Sequence, residues 1–207
     1  MLSSFAVPPR QARTALACLA TVILLVLPST AFARGGSYAV IGGNNADRAQ
    51  IHAALAASTF DWSLVPALVE IHVVPGIPAQ AAPGEIWLDP ALLRAGMFSW
   101  AVVQDEYAHQ VDYFLLDDAE HALLNDAFGT KYWCHEDHPG LAHASYGCEK
   151  FTSSFVWAYW PSRSNAYKPS TLNSEATMTP WTFRHLLSTL LDPNEPDSVQ
   201  RNVLGAP

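Results

Sequence analysis

Two hydrophobic periods organise this chain, one of two residues and one of three to four. The alternation in Val69-Glu70-Ile71-His72-Val73-Val74 is that of a half-buried strand. Pro75-Gly76 ends it, and Pro83-Gly84 turns the chain into another strand, Glu85-Ile86-Trp87-Leu88. An earlier apolar segment, residues 37–41, is a strand candidate that runs into Gly42-Gly43. Asn44 or Asn45 can cap a helix over residues 46–57, which places Ile51 and Leu55 on one face. Asp89 caps, and Pro90 opens, a short helix through Leu93 and Arg94. The longest helical pattern covers about residues 98–117, with Trp100, Val103, Tyr107, Val111 and Phe114 as its core stripe. Three more helices are expected. One covers about residues 120–128 before Gly129, one runs from near Cys148 to Trp160 before Pro161, and one runs from Thr179-Pro180 to Leu191. Early strands followed mostly by helices make an α+β domain with a small antiparallel or mixed sheet the natural assignment.

The N-terminal apolar run changes the domain picture. Arg10 and Arg13 precede an uncharged stretch over residues 15–27, Pro28 breaks it, and Ala31-Phe32-Ala33 supplies small residues for cleavage. This is the pattern of a secretory signal peptide over residues 1–33. The run is shorter than the ~20 residues a membrane span needs, which disfavours a retained anchor. The expected mature chain is one domain over residues 34–193 with a loose tail, 194–207. Removing the signal leaves nine Lys and Arg against nineteen Asp and Glu. That acidic balance argues against nucleic acid or an anionic membrane surface as a partner. Cys134 and Cys148 remain, and an even pair in an oxidising compartment is expected to form a disulfide. Zinc ligation by the two thiols is the rival assignment, although neither has a C-x-x-C partner.

The chemistry concentrates in the longest helix, at Asp105-Glu106-Tyr107-Ala108-His109. Positions i and i+4 share a helix face, so Asp105 and His109 can converge on one metal ion. Glu106 between them is placed to act as general base on a water held there. Asp112 continues the polar face one turn later. Strongly apolar flanks imply that the helix is buried on much of its circumference, and ionisable groups inside it then need partners. One helix cannot complete a site, because these residues spread over about 10 Å along the axis at ~1.5 Å per residue. Metal bonds are only ~2 Å long. A third ligand must come from elsewhere, and Glu149 in Gly147-Cys148-Glu149-Lys150-Phe151 is the best candidate, forty residues downstream of His109.

The succession of strand, Pro-Gly turn, strand, D-E-x-x-H helix and Cys-Glu helix ending in Tyr159-Trp160-Pro161 resembles small secreted gluzincin-type metallopeptidases. The resemblance spans about residues 69–161. It implies a zincin-like helical core with an active-site helix, and a substrate cleft bordered by residues 85–88. It further implies Glu106 as catalytic base, His109 and Glu149 as metal ligands, and Asp112 as a group that orients one of the ligands without binding the metal itself. Asp105 departs from the family, which carries histidine there. One imidazole and two carboxylates form a harder donor set than usual, binding zinc less tightly and tolerating manganese or calcium better.

The expected function is therefore a secreted metal-dependent peptidase acting on a peptide or protein with zinc or another divalent ion. The alternative is a catalytically degenerate zincin-like protein, without a cofactor, that binds peptides or proteins. Other histidines carry weaker signals. His135, His138 and His143 lie in an acid-containing loop, and one of them is a candidate to replace the absent first ligand. His185 sits on the last helix, and His72 alternates with Glu70. No G-x-S-x-G elbow or phosphate-binding loop is present.

Overall fold

Alternating burial along Val69–Val73 seats its side chains between a helical layer and an outer face, and a four-stranded sheet grows around it. The computed structural model describes residues 36–169 and 175–191. All of these belong to one compact unit, Phe32–Pro207. The expected signal segment, 1–33, and the expected tail, 194–207, lie outside the described residues.

The strands are β1 (Tyr38–Gly42), β2 (Val69–Val73), β3 (Gln80–Ala82) and β4 (Glu85–Leu88). Their order is β1-β2-β4-β3. β1 pairs parallel with β2, β2 pairs parallel with β4, and β3 closes one edge antiparallel to β4. The sheet is thus mixed, within an α+β architecture. β3 went unpredicted, because Gln80-Ala81-Ala82 has none of the β-branched or aromatic residues that mark strands.

Six α-helices accompany the sheet among the described residues: α1 (Asn45–Ala57), α2 (Pro90–Leu93), α3 (Trp100–Leu115), α4 (Asp118–Phe128), α5 (Gly147–Tyr159) and α6 (Pro180–Leu190). Local chemistry sets their ends. Asn44 and Asp47 form a reciprocal capping box on α1, and Asp117 and Glu120 do the same on α4. That box starts α4 two residues before the expected position. Gly129 closes the helix in the left-handed conformation, with φ 66°. α3 begins after a 3-10 turn over Gly96–Ser99, so it is shorter at both ends than its hydrophobic pattern indicated.

The core joins the inner face of the sheet to α1, α3, α5 and α6. Val103, Tyr107 and Val111 of the expected α3 stripe are buried, whereas Trp100 and Phe114 pack at its margin. Trp62 lies centrally, stacked on Phe155 and edge-on to Tyr107, with its indole N–H donating to the Leu55 carbonyl. Two buried glutamines lock α3 in place. Gln104 Nε2 donates to the Ala54 carbonyl of α1 at 2.7 Å. Gln110 accepts from the Gly84 N–H at 2.8 Å and donates to the Ala82 carbonyl at 3.0 Å, bracing the β3–β4 turn. Gln110 uses both ends of its amide, satisfying polar groups that would otherwise be costly to bury, whereas Gln104 Oε1 is buried without a partner among the described residues.

Candidate metal centre

α3 brings Asp105, Glu106 and His109 to the layer it shares with α5, and the first turn of α5 brings Glu149. An acidic residue in a first helical turn is favoured by the helix dipole, so local structure and site chemistry agree at Glu149. One donor atom each from Asp105, His109 and Glu149 lies within 4.8 Å of the other two. His109 Nε2 and Glu149 Oε2 are 3.7 Å apart. That contact is ionic rather than a hydrogen bond. It suits two donors sharing one ion through bonds of ~2 Å.

The surroundings are dry. Asp105, Glu106 and His109 are respectively 6%, 7% and 7% exposed. Asp105 Oδ1 and His109 Nδ1 are buried without hydrogen-bond partners among the described residues. A buried carboxylate oxygen left in this way is expensive unless a cation compensates it. The donors present therefore fit a divalent cation of the kind the helix motif implies.

Electrostatics follow from crowding these groups. Burial pushes the Asp105 carboxyl up, against the pull of His109. Burial also raises the Glu106 carboxyl, and the neighbouring Asp105 charge raises it further. Burial alone would lower His109, but the Glu149 and Asp105 carboxylates outweigh it and lift the imidazole to about 9. Glu149 is the reverse case. Burial raises it, yet His109 and His143 together bring it down to about 2.

His143 is the site residue that the sequence placed least well. Its Nε2 stands 2.9 Å from Glu149 Oε2, and its Nδ1 lies 3.1 Å from both carboxylate oxygens of Glu175. This imidazole, itself held by Glu175, thus bridges the Glu175 and Glu149 carboxylates. Only its membership of a histidine-bearing loop hinted at this role. A cleft of about 460 Å³ opens on the centre, walled by Ala79, Gln80, Ala81, Tyr113, His135 and Glu136. The strand at this cleft is β3, where residues 85–88 were expected; β4 lies inside the sheet, one strand further from the edge.

Asp112 has partners other than those expected. It is 1% exposed, lies 2.7 Å from His121 Nε2, and accepts from the Trp133 indole N–H at 3.1 Å. His109 Nδ1 has no such bond, so Asp112 does not orient that ligand directly. It ties α3 to α4 and to the segment leading into the disulfide. Cys134 and Cys148 form that disulfide, with Cα atoms 5.5 Å apart, and so hold no metal. His138 packs on Tyr132 and His185 stacks on Trp181.

No helix among the described residues is long and apolar enough to cross a membrane. No protein-family model, no curated protein and no solved structure matches this chain.

Proposed function

We propose that this protein is a metal-dependent peptidase of zincin-like construction, in which Asp105, His109 and Glu149 hold one divalent cation and Glu106 is the catalytic base. The observation that carries this reading is the meeting of those three donors from two separate helices, with Asp105 buried and its Oδ1 unpartnered among the described residues. When bound, the cation supplies Lewis-acid polarisation of a substrate carbonyl and acidifies a water molecule.

Glu106 manages the proton. Burial and the Asp105 charge raise its carboxyl to about 8 in the metal-free protein; a bound cation would favour the ionised form, which takes a proton from water and passes it to the departing amine. His143, steadied by Glu175, keeps Glu149 turned inward. β3 lines the cleft as an edge strand, and an extended backbone beside the centre suits a peptide substrate. The set of one imidazole and two carboxylates favours zinc less strongly than a two-histidine set, and manganese competes better.

Metal analysis of protein purified without chelators tests this reading. The wild type is expected to carry one equivalent of divalent metal more than Glu149→Ala. Glu106→Gln should retain the metal while losing about 10²–10⁴-fold of protein-cleaving activity. Wild-type protein without metal, whose cleavage is indifferent to Glu106→Gln, overturns the proposal.

A second reading rests on the contacts of Glu149, which two imidazoles already neutralise. On it the protein is a catalytically degenerate zincin-like binder of peptides. Asp105→His separates the two: an added equivalent of metal only in that variant supports the degenerate form, whereas tight wild-type metal binding that Glu149→Ala abolishes rules it out.

A further inference from the structure

We infer that the outer face of the sheet carries a second divalent-cation site, formed by Glu70, His72 and Glu85. The alternation that buries Val69, Ile71 and Val73 turns Glu70 and His72 of β2 outward. β4 lies parallel beside it, with Glu85 in register with Glu70 and Trp87 in register with His72. The four side chains form one patch, and it shares no residue with the centre between α3 and α5.

Like charges directly opposite across a strand pair are destabilising. Glu70 and Glu85 are so placed, and among the described residues neither forms an ion pair with Lys or Arg. The one basic group between them is His72. Its Nε2 lies 3.6 Å from Glu70 Oε2 and 3.4 Å from Glu85 Oε1. That nitrogen is inaccessible to solvent and has no hydrogen-bond partner among the described residues.

The separations are informative. Two donors on a tetrahedral ion with bonds of ~2.0–2.1 Å stand about 3.3 Å apart. Both distances from His72 are close to that value, and one donor atom of each residue lies within 4.8 Å of the others. The Trp87 ring stacks on His72 at 5.4 Å and 15°, fixing the imidazole plane with Nε2 between the carboxylates. An imidazole with two carboxylates suits zinc, and binds copper(II) more tightly still. An ion there would clip β2 to β4 at the middle of the sheet and offset the opposed charges.

Zinc titration of the chelator-stripped full chain by calorimetry tests the inference. Two equivalents are expected in the wild type, and one in His72→Ala and in the double variant Glu70→Gln/Glu85→Gln, which keeps the side-chain shapes. Copper(II) should quench tryptophan fluorescence, and Trp87→Phe should remove most of that quenching. If the wild type binds zinc only through residues sensitive to His109→Ala, and His72→Ala leaves stoichiometry and quenching unchanged, the sheet site is overturned while the peptidase centre stands. Loss of binding in His72→Ala but not in His109→Ala supports the sheet site and counts against the peptidase centre alone.

Discussion

Asp105 brings to the α3–α5 layer a carboxylate that is buried without a hydrogen-bond partner for Oδ1 among the described residues. Its neighbour His109 makes the consequence measurable. In the metal-free protein the imidazole holds its proton up to about 9, so its stabilising contribution is complete below the ordinary value of 6.5 and is lost as pH rises through 9. Glu149, lowered to about 2, contributes above its ordinary 4.5 and stops as pH falls through 2. A metal must displace the His109 proton to bind. Zinc affinity of stripped protein should therefore climb steadily from pH 6.5 to 9, with proton release seen as calorimetric heats that vary with the buffer's ionisation enthalpy. A flat profile would remove His109 from the ligand set. Asp105, Glu106 and His109 were legible as a group in the chain, because their spacing is a property of one helix. His143 was not, since a loop histidine reveals nothing about which carboxylate it will face.

At the scale of elements, the centre depends on how α5 starts. Gly147 N–H donates to the Tyr132 carbonyl at 3.0 Å, and Cys148 N–H donates to the Trp133 carbonyl at 2.8 Å, which seats the first turn carrying Glu149. A Cβ on Gly147 would come within 2.3 Å of Asn125 Oδ1 and 2.6 Å of the Trp133 ring. Gly147→Ala should thus cost about 1–3 kcal/mol through overpacking. It should also weaken metal binding by shifting Glu149, with denaturant melts and zinc titration as the checks. Unchanged values for both would show that the loop yields freely. The helices carrying the site were recognisable from their apolar periodicity and caps. β3 was not, because a three-residue strand of glutamine and alanine has no pattern of its own and is made by pairing with β4.

Across the whole molecule, the disulfide binds the histidine-bearing loop to the start of α5. Cys134 and Cys148 close a loop of sequence separation 14, and Glu149 is the next residue. Replacing both cysteines by serine should lower stability by on the order of 3 kcal/mol in the chain-entropy account. That corresponds to roughly 6–12 °C in Tm for a domain of this size. Calorimetry on the double variant measures it, and an unchanged Tm would show that hydrogen bonds such as Asp137 to the Trp133 N–H already hold the loop.

Apolar periodicity, capping residues and Pro-Gly turns are local, and they alone determined the main helices, three of the four strands of the sheet, and the D-E-x-x-H face. The pairing of the two cysteines also followed from their number and the expected oxidising compartment. Tertiary structure decided the rest: the parallel β1-β2-β4 order, the meeting of Glu149 with His109, the turn of His143 toward Glu149, and the opposition of Glu70 and Glu85. Periodicity reports how a residue faces within its own element. Which remote elements meet, and in what register, depends on the packing of all of them together, and no single segment encodes it.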